Sequence, residues 1–90
     1  MKKIKKSEFV DSKDTIAATP GEMLAALREL QGLSQNDLAK LTGIAQANIS
    51  NMEKGRQQIG RERAIILAKA LHVHPAVILF PNYDASYKAA

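Results

Sequence analysis

Ser34-Gln35-Asn36-Asp37-Leu38-Ala39-Lys40-Leu41-Thr42-Gly43-Ile44-Ala45-Gln46-Ala47-Asn48-Ile49-Ser50-Asn51-Met52-Glu53-Lys54-Gly55 reads as two short helices joined at a glycine. Ser34 supplies an N-cap, and Asp37 sets a carboxylate in the first turn, where the helix dipole favours negative charge. Leu38, Ala39 and Leu41 form the expected inward face of this helix, which Thr42-Gly43 ends. The second helix begins near Ala45 and runs to Lys54, with Gly55 as its stop. Ile49 and Met52, three apart, turn inward, leaving Gln46, Ala47, Ser50, Asn51 and Lys54 outside.

The same start and stop signals recur on either side. Thr19 can cap a helix, Pro20 suits its first position, and Glu22 can complete a capping box. Leu24, Leu27 and Leu30 follow at spacings of three, and Gly32 stops that helix. Downstream, Arg56-Gln57-Gln58 is a polar loop. A fourth helix is predicted from about Arg61 to Leu71, with Ala64, Leu67, Ala68 and Leu71 on one stripe. A short fifth helix starts at Pro75, carries Val77, Ile78 and Leu79, and stops at Pro81-Asn82. Residues 1–18 show no period and read as an N-terminal arm, flexible or partner-binding, in which Glu8-Phe9-Val10 could pair as a strand. The expected organisation is therefore arm 1–18, an all-α five-helix domain over 19–81, and a C-terminal tail 82–90.

Composition narrows the class. Apolar residues are 46% of the 90 and aromatics only 4%, so the core must be aliphatic, which suits packed helices better than sheets. With no cysteine there is neither a disulfide framework nor a thiolate metal site, which fits a cytoplasmic location. No apolar run approaches the roughly 20 residues that cross a bilayer. Lys2, Lys3, Lys5 and Lys6 have no apolar stretch after them, so a secretory signal is not expected. Those lysines also equal the whole net charge of +4, leaving the remainder near neutral. Bulk basicity therefore says little about partners.

The amides say more. Asparagine and glutamine each present a donor beside an acceptor, which matches the N6 and N7 edge of adenine. A small residue such as Ala47 allows close approach and can meet a thymine methyl. On a lone helix such amides are usually just solvated; behind a glycine turn between two short helices they form a helix-turn-helix arrangement. Enzyme chemistry is not expected: no nucleophile and base stand at a telling spacing. His72 and His74 lack a third ligand nearby, so packing or capping is expected of them rather than metal binding, and no cofactor is implied.

From Leu33 to Gly55, and on through Leu67-Ala68-Lys69-Ala70-Leu71 and Val73, the chain resembles the lambda-repressor-like, or XRE/Cro, helix-turn-helix family. The Leu-Ser-Gln opening, the central glycine, the Ile-Ser pair and the Glu-x-Gly ending carry that resemblance, which spans about residues 20–80. It implies roles residue by residue. Gln35 would bond a phosphate and buttress the next glutamine; Gln46 and Ala47 would read bases; Asn51 would make a further base or groove contact and Asn48 a phosphate or edge contact. Lys54, Arg56 and Gln57 would clamp phosphates, while Arg28 and Glu53 would form an ion pair inside the domain. Three departures stand out: Ala45 where a Ser or Thr cap is usual, His72 where a glycine is common, and His74 where a serine cap is common.

The resemblance also implies partners. Family members bind double-stranded DNA as homodimers on palindromic operators, with half-sites about 34 Å apart. The dimer surface is expected around Val77, Ile78, Phe80 and Tyr83. Small members include phage-type repressors, restriction-control regulators and antitoxins of toxin–antitoxin operons. The chain resembles HigA-like antitoxins in its size, its polar arm and its short tail, which makes a small protein toxin a possible partner and residues 1–18 the segment to hold it. An interaction module that no longer binds DNA is the rival from another class, for which the uncapped Ala45 leaves room.

Overall fold

A helix begins where something accepts the N–H groups its first turn leaves unpaired, and here side chains do so at three of the five starts. The computed structural model describes residues 18–82, and these hold α1 (Pro20–Leu30), α2 (Gln35–Thr42), α3 (Gln46–Glu53), α4 (Arg61–Leu71) and α5 (Pro75–Leu79). The arm expected at 1–18, with its Glu8-Phe9-Val10 stretch, lies outside the described residues apart from Ala18, as does the tail beyond Asn82. At α1, Thr19 Oγ1 accepts the Glu22 N–H and Glu22 Oε1 accepts the Thr19 N–H, each at 3.0 Å. At α2, Ser34 Oγ accepts the Asp37 N–H and Asp37 Oδ2 accepts the Ser34 N–H, each at 2.9 Å. Asp37 thus closes a full capping box, a role beyond favouring the dipole.

Those bonds hold the Asp37 carboxyl below its ordinary range, the backbone N–H of Ser34 contributing most. A carboxyl lowered on folding contributes stability above its unfolded pKa and loses it as pH falls through the lowered folded value. Replacing Asp37 with Asn should therefore flatten the loss of urea stability between roughly pH 5 and pH 2 relative to the parent. Parallel curves for the two proteins would remove this contribution.

Gly43 ends α2 at φ 78°, a left-handed conformation that costs glycine little, and its N–H donates to the Ala39 carbonyl. The turn into α3 is tied by Thr42 Oγ1, which donates to the Leu38 carbonyl at 2.8 Å and accepts the Ile44 N–H at 3.1 Å. Ala45 starts α3 without a side-chain cap. His72 takes the left-handed C-cap of α4 at φ 61°, and His74 Nδ1 caps α5 by accepting the Ala76 N–H at 3.0 Å. Both histidines thus serve helix ends.

Helices α2 and α3 pack together, with α1 against α3 and α5, and α4 against α2 and α5. The core between them is Leu24, Leu38, Ile44, Ile49, Met52, Leu67, Ala68, Leu71 and Ile78, all buried. The stripes expected on α3 and α4 are the buried ones. Two leucines depart from expectation. Leu30 is 83% exposed and Leu41 60%. Each step of three residues falls about 60° short of a full turn, so a leucine two such steps beyond Leu24 has left the inward face. On α2 the spacing of four wins instead, placing half-buried Thr42 above Leu38 and turning Leu41 out.

Two polar ties, unforeseen in the sequence, fasten the frame. Gln31 Nε2 donates to the Leu71 carbonyl at 2.6 Å, joining the ends of α1 and α4. The Asn82 amide grips the Ala18 backbone on both sides, accepting its N–H at 2.7 Å and donating to its carbonyl at 2.9 Å. Ile78 is fully buried in the core of its own chain, which removes it from the dimer surface expected on α5; Val77 and Phe80 are exposed, and Tyr83 lies outside the described residues.

Candidate nucleic-acid interface

The front of α3 is open. Gln46 and Ala47 are exposed on its first turn, and Asn48 and Asn51 are half-buried along it. Lys54 and Arg56 are exposed just past its C-terminus, with Gln57 half-buried in the loop that follows. Ile49 and Met52 occupy the opposite side of the helix and are buried, so the amides have no core position to turn into. The side chains suited to base edges thus stand on one helix face and the cations at its end.

Behind that face runs a chain of polar contacts. Arg28 of α1 grips Glu53 with two prongs, Nε to Oε2 at 2.7 Å and Nη2 to Oε1 at 3.0 Å. The remaining guanidinium nitrogen, Nη1, donates to the Leu33 carbonyl at 2.8 Å, just before the α2 cap. Gln35 Nε2 donates to the same Glu53 Oε1 at 2.9 Å, and Gln46 Nε2 donates to Gln35 Oε1 at 2.6 Å. The Arg28 and Glu53 side chains are only 11% and 7% exposed. The hydrogen bond that Arg28 donates to Glu53 raises the Arg28 pKa above its already high value, outweighing burial, so the guanidinium keeps its charge.

The family resemblance implies Arg28 and Glu53 as a pair and Gln35 as a buttress, but not the Glu53–Gln35 contact that joins them. The i, i+18 separation of those two residues gives no local signal. Arg61 and Arg63, in the first turn of α4, carry no sequence signal beyond that of ordinary helix residues. They border a shallow depression with Gln57, Gln58 and Gly60, next to the loop that carries Arg56. Arg63 Nη1 is buried there without a hydrogen-bond partner among the described residues. Among the described residues no cluster of three or more His, Cys, Asp or Glu could hold a metal ion, and no helix is long and apolar enough to cross a membrane.

Two short helices around a left-handed glycine, set in a frame of three more, define a helix-turn-helix domain. The chain belongs to the helix-turn-helix family, whose model matches residues 24–78. Its fold is that of the lambda-repressor-like domains. It is similar to the P22 c2 repressor crystallised with a synthetic operator, with a TM-score of 0.68 and 27% identity over 73% of this chain and 100% of that one. It is also similar to the restriction-modification controller protein C.AhdI of Aeromonas hydrophila, with a TM-score of 0.64 and 32% identity over 67% of this chain and 91% of that one. A Thermococcus kodakarensis protein named as an HTH-type transcriptional regulatory protein is 43% identical over 47 residues, which are 52% of this chain but only 15% of that protein.

Proposed function

We propose that the chain is a sequence-specific transcriptional repressor that reads operator DNA with the exposed face of α3 and acts in the cytoplasm as a homodimer. The observation that carries this reading is the Gln46 side chain, exposed at the front of α3 yet held by Gln35 at 2.6 Å. An exposed amide normally wanders; one held from behind arrives at a base edge already oriented, and adenine offers the matching donor and acceptor. Ala47 lets the helix lie close and can meet a thymine methyl, and Asn48 and Asn51 extend the contact along the groove. Lys54, Arg56 and Gln57 hold the phosphates that fix register. One such helix touches few bases, so a palindromic operator with half-sites about 34 Å apart is the expected target of the dimer.

Gln46→Ala should cost about 1–3 kcal/mol at one base pair of the operator and little elsewhere. Lys54→Ala should weaken every duplex alike and reduce the salt slope by about one. Titration of each variant against single-base-pair operator substitutions at several salt concentrations measures both effects. Unchanged binding by Gln46→Ala would overturn the site assignment.

Within the repressors the finer reading is an antitoxin that represses its own operon and covers a small toxin with residues 1–18. The likeness to the P22 c2 repressor and to C.AhdI favours the other branch, a phage-type or restriction-control repressor with no toxin. Co-expression with the adjoining reading frames separates the two. A stoichiometric small partner lost on deleting residues 1–17 supports the antitoxin, and a chain recovered only with itself supports the second branch.

A further inference from the structure

We infer that Glu53, which is placed to touch no base, sets the base preference of Gln46 by fixing which way two amides in series point. The inference rests on the DNA-reading role proposed for α3. A carboxylate paired with arginine can only accept hydrogen bonds. Glu53 Oε1 therefore obliges Gln35 to face it with its NH2 group, at 2.9 Å. That leaves Gln35 Oε1 at the other end of the amide, and this oxygen obliges Gln46 to approach with its own NH2 group, at 2.6 Å. Gln46 then has one N–H and its oxygen side by side and unspent. That pair accepts from adenine N6 and donates to adenine N7.

The starting point of this polarity is rigid. Both Glu53 oxygens are gripped by Arg28, and Arg28 Nη1 is fixed by the Leu33 carbonyl. Without a carboxylate at the end of the chain the two amides lose their direction. Amide oxygen and nitrogen have nearly the same size, so reversing both keeps every contact and changes only the groups displayed. A reversed Gln46 spends its oxygen on Gln35 and turns two N–H donors outward, which suits the O6 and N7 acceptors of guanine. Glu53 is thus a positioning residue for base choice, in addition to its part in the ion pair.

The test begins with the full chain and a randomised duplex library, from which the parent protein selects its sequence. The base pair that Gln46→Ala ceases to discriminate marks the position. Affinities are then measured for the four duplexes that differ only there. The parent should prefer adenine by about 5- to 150-fold. Glu53→Gln should bring the four towards parity, with guanine gaining most, while discrimination at every other position and the salt slope stay as in the parent. A purely structural role would weaken all four in proportion, and that result, or a retained adenine preference, overturns the inference. If Glu53→Gln does not fold, Gln35→Met leaves the Arg28–Glu53 pair in place and should show the same loss of preference at the same base pair. A parent chain that selects no sequence would defeat the DNA-reading role itself, and with it this inference; selection by the parent with an unmoved Glu53→Gln profile defeats this inference alone.

Discussion

Gly21→Ala should destabilise the domain by about 3 kcal/mol, the upper end for overpacking, which for a domain of this size is roughly 12–24 °C in Tm. On helix propensity alone the sign would be opposite, since alanine gains up to about 1 kcal/mol over glycine inside a helix. What reverses it is space. Gly21 lies in the first turn of α1, buried against the last turn of α3. A Cβ there would overlap the Met52 carbonyl oxygen and stand 2.8 Å from that of Glu53. Both are backbone atoms with no rotamer to escape into, so α1 and α3 must separate. The separation carries Glu53 away from Arg28, its α1 partner, and operator binding should fall beyond what unfolding explains. Gly60→Ala is the control: nothing lies within 4 Å of its added Cβ, and its φ is −74°. A thermal melt of both variants decides the matter, and a Gly21→Ala Tm equal to that of Gly60→Ala would refute close approach as the reason for this glycine.

Gly21 also marks what can be read in the sequence. Thr19-Pro20-Gly21-Glu22 announces a helix start through its cap and its proline, both of which are local. Why the third residue is glycine depends on α3, some thirty residues away, and leaves no local trace. The same division runs through the site. The amides of α3 can be placed outside because Ile49 and Met52 fix the inward side by their spacing alone. Spacing misplaces Leu41 and Leu30 because short helices give the period too few turns to settle which leucine leaves the face. On α2, with eight residues, Thr42 turns inward with its hydroxyl tying the turn at Gly43, and Leu41 turns out. The dimer surface expected on α5 loses Ile78 for a related reason: five residues cannot show which apolar side chain the core will claim.

Arg28→Met should cost about 3–5 kcal/mol, because it leaves the Glu53 carboxylate buried without its cation. The Glu53 side chain is 7% exposed and, among the described residues, would keep the Gln35 amide, at 2.9 Å, as its hydrogen-bond donor. Small domains hold roughly 5–15 kcal/mol in all, so this variant should sit close to unfolding at room temperature. The double variant Arg28→Met with Glu53→Leu should recover most of the loss, since apolar residues of similar volume carry none of the desolvation cost and such replacements are often neutral or stabilising by about 1–4 kcal/mol. The bond from Arg28 to the Leu33 carbonyl is lost in both variants, so it cancels from the comparison. Urea denaturation of parent, single and double proteins at constant m-value measures the difference. If the double variant is as unstable as the single one, the pair is held for packing and not for charge balance. If it recovers, the charge of this pair is not needed for folding, and its remaining work is to give Gln35, and through it Gln46, a carboxylate to face. A double variant that folds stably but binds DNA without the adenine preference would separate the two roles within one protein.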